Sequence, residues 1–202
     1  MFINPQVQIV ANVLKNNGVC ILPTETIYGL ATLCSNAVGI EKIFKLKQRS
    51  SLKPLAKIFP STGYALDFIS NHNDKKVRNF LQLYNRKQIT ELINTGSTLI
   101  LPSSVGFRVT HHKFLQGIIL TLEEALFVTS VNISNKEPAI KFCDIEPGVI
   151  NGADLSINLD NTVTGVPSTI IDFRDKNTAI TRVGFTSMLQ LELILGHKLK
   201  TI

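Results

Sequence analysis

The sequence predicts an α/β fold in a single domain, and three observations carry that prediction. Helical and strand-like stretches alternate along the whole chain. The length of 202 residues suits one sizeable core. No repeat, low-complexity run or Pro/Gly/Ser-rich linker divides it.

Each element has a local reason. Asn4-Pro5 offers a capping side chain followed by proline at the first helical position. Val7, Val10, Ala11 and Leu14 then recur at helical spacing, and Gly18 supplies the stop. Val19 to Leu22 is a short apolar run with β-branched content, hence a buried strand, and Pro23 ends it. Thr24 to Leu30 reads as a loop leaving a strand end, where α/β proteins set their ligand sites. Asn36 caps a second helix whose apolar stripe is Ala37, Ile40, Ile43, Phe44 and Leu46. That helix runs into Lys45, Lys47 and Arg49, and Pro54 opens a strand from Leu55 to Phe59.

Residues 61–94 read as mostly helical, polar on one side. Two strands, Thr98 to Leu101 and Val105 to Val109, precede a helix around Lys113 to Ile119 that the pair His111-His112 begins. Ala125 to Thr129 is a strand running into the polar loop Ser130 to Glu137. Short strands follow near Leu155 to Leu159, Thr169 to Phe173 and Ala179 to Arg182. A last helix from Thr186 ends near Gly196, ahead of a short basic tail.

Apolar residues make up 44% of the chain and charged residues 18%, the balance of a folded globule rather than a disordered segment. The formal charge of +6 suits an anionic partner such as nucleotide, tRNA or another phosphate-bearing ligand. Cys20, Cys34 and Cys143 match no zinc spacing and cannot all pair, so reduced structural thiols are expected. The start Met1-Phe2-Ile3-Asn4-Pro5 lacks the cationic segment and apolar run of a signal peptide. No window approaches the ~20 apolar residues of a membrane helix. A cytoplasmic chain with no membrane association is the expectation.

Four segments are dense in hydroxyl, amide or cationic groups, and each flanks a strand. They are Pro23 to Leu30, Lys47 to Leu55, Thr129 to Ser134, and Pro167 to Ile170 with Arg182 downstream. No Ser/His/Asp order, His-Glu helix motif or Walker-type glycine loop is present, which argues against covalent catalysis. What remains is a set of fixed cations and neutral donors, suited to holding phosphates while two substrates react. Taken singly, each segment has a plainer account. Lys47, Arg49 and Lys53 would be a solvated helix end, Ser130 and Asn132 would stabilise a turn, and Arg182 would be a surface arginine.

The segments occur together and in order. Pro23-Thr24-Glu25-Thr26-x-Tyr28-Gly29-Leu30 resembles the opening signature of the YrdC/TsaC family, the threonylcarbamoyl-AMP synthases. Lys47-x-Arg49 with Lys53-Pro54-Leu55 resembles its second signature, and Phe107-Arg108-Val109-Thr110-x-His112 its central arginine strand. Thr129-Ser130-Val131-Asn132-x-Ser134 is similar to its Thr-Ser-Ala-Asn-x-Ser loop, and Pro167-Ser168-Thr169-Ile170-Ile171-Asp172 with Arg182-x-Gly184 to its closing pair. Where the family carries Trp-Pro-Gly-Pro-x-Thr, this chain reads Ile93-Asn94-Thr95-Gly96-Ser97-Thr98.

The resemblance implies a twisted mixed β-sheet with flanking helices, whose concave basic face holds the substrates. It implies synthesis of threonylcarbamoyl-AMP and pyrophosphate from L-threonine, bicarbonate and ATP, for a threonylcarbamoyl modification of tRNA adenosine. Thr26, Tyr28, Arg108, Ser130 and Ser168 would bind L-threonine. Arg49, Lys53, Asn132 and Arg182 would contact ATP, with Lys47, Arg49 and Thr24 as the catalytic set. Mg²⁺ would arrive with ATP, with no protein metal site and no tightly bound organic cofactor. Direct tRNA binding is a further possibility, and a separate transferase complex would receive the product. The rival reading is a non-catalytic RNA- or nucleotide-binding module of the same fold, resting on the net charge.

Overall fold

A computed structural model describes residues 4–50, 55–134, 136–175 and 178–202. In chain order the first half holds α1 (Pro5–Lys15), β1 (Cys20–Leu22), β2 (Gly29–Leu33), α2 (Ala37–Leu46), β3 (Ala56–Phe59), α3 (Thr62–Ser70), α4 (Lys75–Leu83) and α5 (Arg86–Asn94). The second half holds β4 (Thr98–Ile100), β5 (Gly106–Val109), α6 (Lys113–Leu122), β6 (Leu126–Ser130), α7 (Pro147–Gly152), β7 (Leu155–Ser156), β8 (Ile170–Asp172), β9 (Ala179–Arg182), α8 (Met188–Leu195) and β10 (Lys200–Thr201). This is the α/β class with mixed strand pairing and flanking helices that the sequence predicts. The chain divides into two compact units, Met1–Pro60 with Thr110–Val166, and Ser61–Val109 with Pro167–Ile202.

In the first unit the strands lie in the order β3-β6-β2-β1-β7. β2 runs antiparallel to β1 and β6, β3 antiparallel to β6, and β7 parallel to β1. Alternation along each strand sends side chains to opposite faces. Cys20, Leu22, Ala31 and Leu33 join one cluster with Val7, Val10 and Leu14 of α1 and Leu115, Ile118 and Ile119 of α6. Val19, Ile21, Tyr28 and Leu30 join another with Ile43 of α2 and Val149 of α7. Both faces are buried, which is why Val19 to Leu22 is apolar at every position.

The second unit orders its strands β10-β9-β8-β4-β5. β4 pairs antiparallel with β5 and parallel with β8, β9 is antiparallel to β8, and β10 is parallel to β9. Phe107, Ile69, Leu92, Ile93, Ile171, Ile180 and Leu191 are among its most buried large side chains, none above 1% exposed. Edge-to-face aromatic pairs, Phe68 with Phe107 and Phe80 with Phe173, knit helices to strands.

Several local expectations change. The first helix ends at Lys15, and Asn17 just beyond it takes the left-handed conformation at φ 62°. Gly18 follows it and donates to the Val13 carbonyl. An added Cβ on Gly18 would lie 2.5 Å from Val13 Cγ1, so this glycine answers a close approach rather than a positive φ. Gly29 and Leu30, expected in a loop, begin β2. Between the loop Ser130 to Glu137 and the strand at Leu155, where the sequence suggested no element, lies α7, and the basic tail forms β10.

Candidate active site

In the first unit, register builds the site. Gly29 pairs with Ser130 and Leu30 with Thr129 across β2 and β6, and the Val131 N–H extends the ladder to the Tyr28 carbonyl. The loop before β2 and the loop after β6 therefore emerge side by side. Thr24 is 1% exposed and Thr26 6%. The Thr24 hydroxyl donates to the Ile27 carbonyl at 2.7 Å and accepts from the Thr26 N–H at 3.1 Å. Its single proton is thereby used, so in the 2.9 Å contact between the two hydroxyls Thr26 is the donor. Thr24 shapes the loop, and the Thr26 oxygen keeps its lone pairs for an incoming donor.

Tyr28 is fully buried. Its hydroxyl donates to Asp160 Oδ1 at 2.7 Å and accepts from the Leu159 N–H at 3.0 Å. Asp160 Oδ1 also accepts from the Phe142 N–H at 2.8 Å. Burial, with the Asp160 carboxylate beside it, pushes the phenol up to about 12. Tyr28 thus pins two loops of its own unit through a charge-assisted bond.

The end of α2 supplies the cations. Gln48 sits at φ 48°, Gln48 N–H bonds the Lys45 carbonyl, and Arg49 N–H bonds the Phe44 carbonyl. This is the left-handed helix stop with its paired 6→1 and 5→2 bonds, made here without glycine. It turns Lys47, only 1% exposed, into the loop after β6. The Lys47 ammonium donates to the Ser130 carbonyl, to the Asn132 carbonyl at 2.8 Å and to Asn132 Oδ1 at 3.1 Å, with Ser130 Oγ at 3.4 Å. The Ser134 N–H returns a bond to the Lys47 carbonyl at 2.8 Å. None of these acceptors is a carboxylate. Burial, with the positive charge of Arg49 nearby, pushes Lys47 down from 10.5 to about 7. Burial likewise lowers Arg49.

Asn132 is the hub of that loop. Its Oδ1 also accepts from Ser130 Oγ at 2.5 Å, and its amide donates to the Ile133 and Lys136 carbonyls. Lys53 lies outside the described residues.

In the second unit, Ser168 receives Arg182 twice, Nε to the carbonyl at 3.0 Å and Nη2 to Oγ at 3.2 Å. The Ser168 hydroxyl also meets Thr98 Oγ1 at 2.9 Å. Burial, with the positive charge of Arg108, lowers the Arg182 pKa. Arg108 is itself 6% exposed. Two guanidinium groups sharing a poorly hydrated region attract an anion. Gly184 makes the arrangement possible. An added Cβ there would sit 2.0 Å from the Pro167 carbonyl oxygen and 2.7 Å from the Ser168 carbonyl carbon. Its N–H donates to Thr169 Oγ1 at 2.9 Å. The spacing Arg182-x-Gly184 therefore exists because the chain crosses the Pro167–Thr169 backbone in near contact.

The predicted residues thus gather in two groups. Thr24, Thr26, Tyr28, Lys47, Arg49, Ser130 and Asn132 belong to the first unit; Arg108, Ser168 and Arg182 belong to the second. Sequence reasoning missed Asp160, the acceptor for Tyr28, and Thr98, the partner of Ser168. Both are ordinary polar residues in sequence, and only the fold brings them in. Among the described residues no three His, Cys, Asp or Glu side chains gather as a cation site, and no helix is long and apolar enough to cross a membrane.

Comparisons with known proteins converge. A family model for Sua5/YciO/YrdC, described as Telomere recombination, matches residues 12–184. The chain is 29% identical over 177 residues to the threonylcarbamoyl-AMP synthase of Haemophilus influenzae, covering 82% of this chain and 93% of that protein. It is 23% identical over 206 residues to the synthase of the same name from Bacillus subtilis, covering 96% of this chain and 57% of that one. Among solved structures it is similar to P. abyssi Sua5 complexed with L-threonine, with TM-score 0.75, 21% identity, and coverage of 96% of this chain and 58% of that chain. E. coli YciO matches with TM-score 0.71, 19% identity and coverage of 93% and 95%. The chain thus spans little more than half the length of the B. subtilis and P. abyssi proteins.

Proposed function

The chain belongs to the Sua5/YciO/YrdC family, and from that premise we propose that it makes threonylcarbamoyl-AMP and pyrophosphate from L-threonine, bicarbonate and ATP. Relatives carrying the synthase name support the reading, including one that this chain matches over 93% of its length. The observation that carries it is the buried ammonium of Lys47, which joins the helix-end signature to the Ser130–Asn132 loop beside Arg49.

The reaction needs two bond-forming steps between electron-rich groups. The neutral amine of threonine attacks the bicarbonate carbon, water leaves, and a carbamate forms. A carbamate oxygen then attacks the α-phosphorus of ATP, and pyrophosphate departs. Both steps bring anions together, so fixed cations lower the repulsion and position the phosphates. On this reading Arg49 and Lys47 place positive charge at the phosphates, with Lys53 adding to it, and the Ser130–Asn132 loop supplies neutral donors and acceptors. The lone pairs of Thr26 accept from the amine. Arg108 and Arg182 hold an anionic oxygen in a planar fork, oriented through Ser168. Thr24 and Tyr28 act by fixing the loop that carries Thr26.

Mg²⁺ would ride on the nucleotide's own oxygens, because both residue groups offer cations and hydroxyls rather than a carboxylate cage. When bound it would neutralise phosphate charge. The same reading puts the chain in the cytoplasm, with a separate transferase passing the labile product to tRNA. The +6 charge supports transient contact with that RNA. Incubation with labelled bicarbonate, ATP and L-threonine tests it: label should appear in an adenylate by mass spectrometry, and its absence with folded protein would exclude the reading.

A further inference from the structure

In the second unit three side chains meet at the Ser168 hydroxyl, and a count of their protons decides how that hydroxyl greets a ligand. Arg182 Nη2 donates to Ser168 Oγ at 3.2 Å, while its Nε holds the Ser168 carbonyl at 3.0 Å. A guanidinium only donates, so one lone pair of Ser168 Oγ is occupied. Thr98 Oγ1 lies 2.9 Å from the same oxygen, and Thr98 and Ser168 are both buried. The backbone fixes Thr98 in place. It opens β4, pairs in parallel with Ile170 of β8, and its N–H bonds the Thr169 carbonyl at 2.8 Å. Its branched Cβ narrows the choice of χ1.

Two proton arrangements exist for the Thr98–Ser168 pair. If Ser168 donates, the Thr98 proton is stranded, because Ser168 Oγ is the one side-chain partner of Thr98 Oγ1 among the described residues. If Thr98 donates, both lone pairs of Ser168 are filled and the Ser168 proton is left at the fourth tetrahedral position. A buried donor without an acceptor is costly, so the arrangement that wins is the one whose spare proton a ligand can take up. An anion drawn to Arg182 arrives beside Ser168 Oγ, the atom that Arg182 already bonds. The spare proton therefore belongs on Ser168.

We propose that Thr98 is a positioning residue: it donates to Ser168 Oγ and so obliges Ser168 to meet the carboxylate of the amino-acid substrate as a donor. The role rests on the reading of Ser168 as a threonine contact given above. Two effects follow from the Thr98 bond. It holds the Ser168 proton in one orientation before the ligand arrives, which is preorganisation. It also polarises the Ser168 O–H, since a hydroxyl that accepts hydrogen bonds donates more strongly. Without Thr98 the Ser168 hydroxyl turns between two positions, one of which sets a lone pair against the anion.

Equilibrium dialysis of labelled L-threonine against the whole chain tests this without turnover, on variants whose circular dichroism matches the wild type. Thr98→Val keeps the branched shape and removes the hydroxyl, and its dissociation constant should rise roughly five- to tenfold. Thr98→Ala makes the same comparison if the valine variant does not fold. Thr98→Ser restores the donor and should bind within about twofold of the wild type. In a Ser168→Ala background, Thr98→Val should cause no further loss, because Thr98 acts through that hydroxyl. An unchanged constant in Thr98→Val, an equal loss in Thr98→Ser, or a loss that persists without the Ser168 hydroxyl would each overturn the role while leaving the threonine reading standing. A folded wild type that binds no L-threonine would overturn that reading, and this role with it.

Discussion

Lys47 and Asn132, 85 residues apart in the chain, are joined by two hydrogen bonds from one ammonium, 2.8 Å to the carbonyl and 3.1 Å to Oδ1. The ammonium also bonds the Ser130 carbonyl, so one buried cation sets the shape of a loop made mostly of acceptors. Lys47→Met keeps much of the volume and removes every donor. Leaving several buried oxygens without partners should cost about 2–4 kcal/mol. Urea unfolding should show that loss, and a stability within experimental error of wild type would contradict the assignment.

The same residue predicts a pH signature. Its pKa falls from 10.5 to about 7 on folding. Between those values the unfolded chain holds the extra proton, so stability rises with pH across that window. Cys20 and Cys34 move the other way, from 9.0 to about 12, because burial opposes their thiolates. Above about pH 9 the folded state holds more protons at these sites, and stability declines. Stability should therefore climb from pH 7 to 9 by at most about 1.4 kcal/mol per unit. Lys47→Met should flatten that climb and keep the decline above it. An unchanged profile in the variant would remove Lys47 as its source.

Gly184→Ala should be among the most damaging single-methyl changes in the second unit. The new carbon would meet backbone at 2.0 and 2.7 Å, atoms that cannot swing aside as a side chain can. A cost of roughly 2–4 kcal/mol is expected, with Ser168 displaced and the Michaelis constant for threonine raised in any folded fraction. Thermal unfolding beside steady-state kinetics checks both.

Tyr28→Phe removes the donor to Asp160 and the acceptor for the Leu159 N–H while keeping the ring. About 1–3 kcal/mol should be lost. The faster hydrogen exchange should concentrate in residues 142–144 and 158–162, the two segments that Asp160 and Tyr28 tie together. Uniform change across the chain would argue against that link.

Much of this was legible in the sequence because its signals are local. Asn4-Pro5, Asn36 and the alternating or helical apolar patterns placed α1, β1, α2 and β9 within a residue or two of their bounds, and the start of α6. β2 was not anticipated, because Gly29 and Leu30 read as part of the threonine-rich loop and only three residues of the strand lie beyond them. Their strand state comes from pairing with β6, about a hundred residues away. α7 was missed because Pro147, Gly148 and Gly152 are poor helix formers, and Val149 buried in the core holds the turn together. β10 is two exposed residues whose only strand signal is the partner β9. Within the candidate site, the hydroxyls and cations were visible as motif residues. Their hydrogen bonds were not: no motif announces that Thr24, Tyr28 and Asn132 also make bonds that shape their loops.

The most direct test of the central claim is pyrophosphate release from ATP with Mg²⁺ and bicarbonate, measured with and without L-threonine, beside Arg49→Ala. The account predicts release that depends on threonine and falls at least tenfold in the variant. Threonine-independent release, or none at all from well-folded protein, would contradict it.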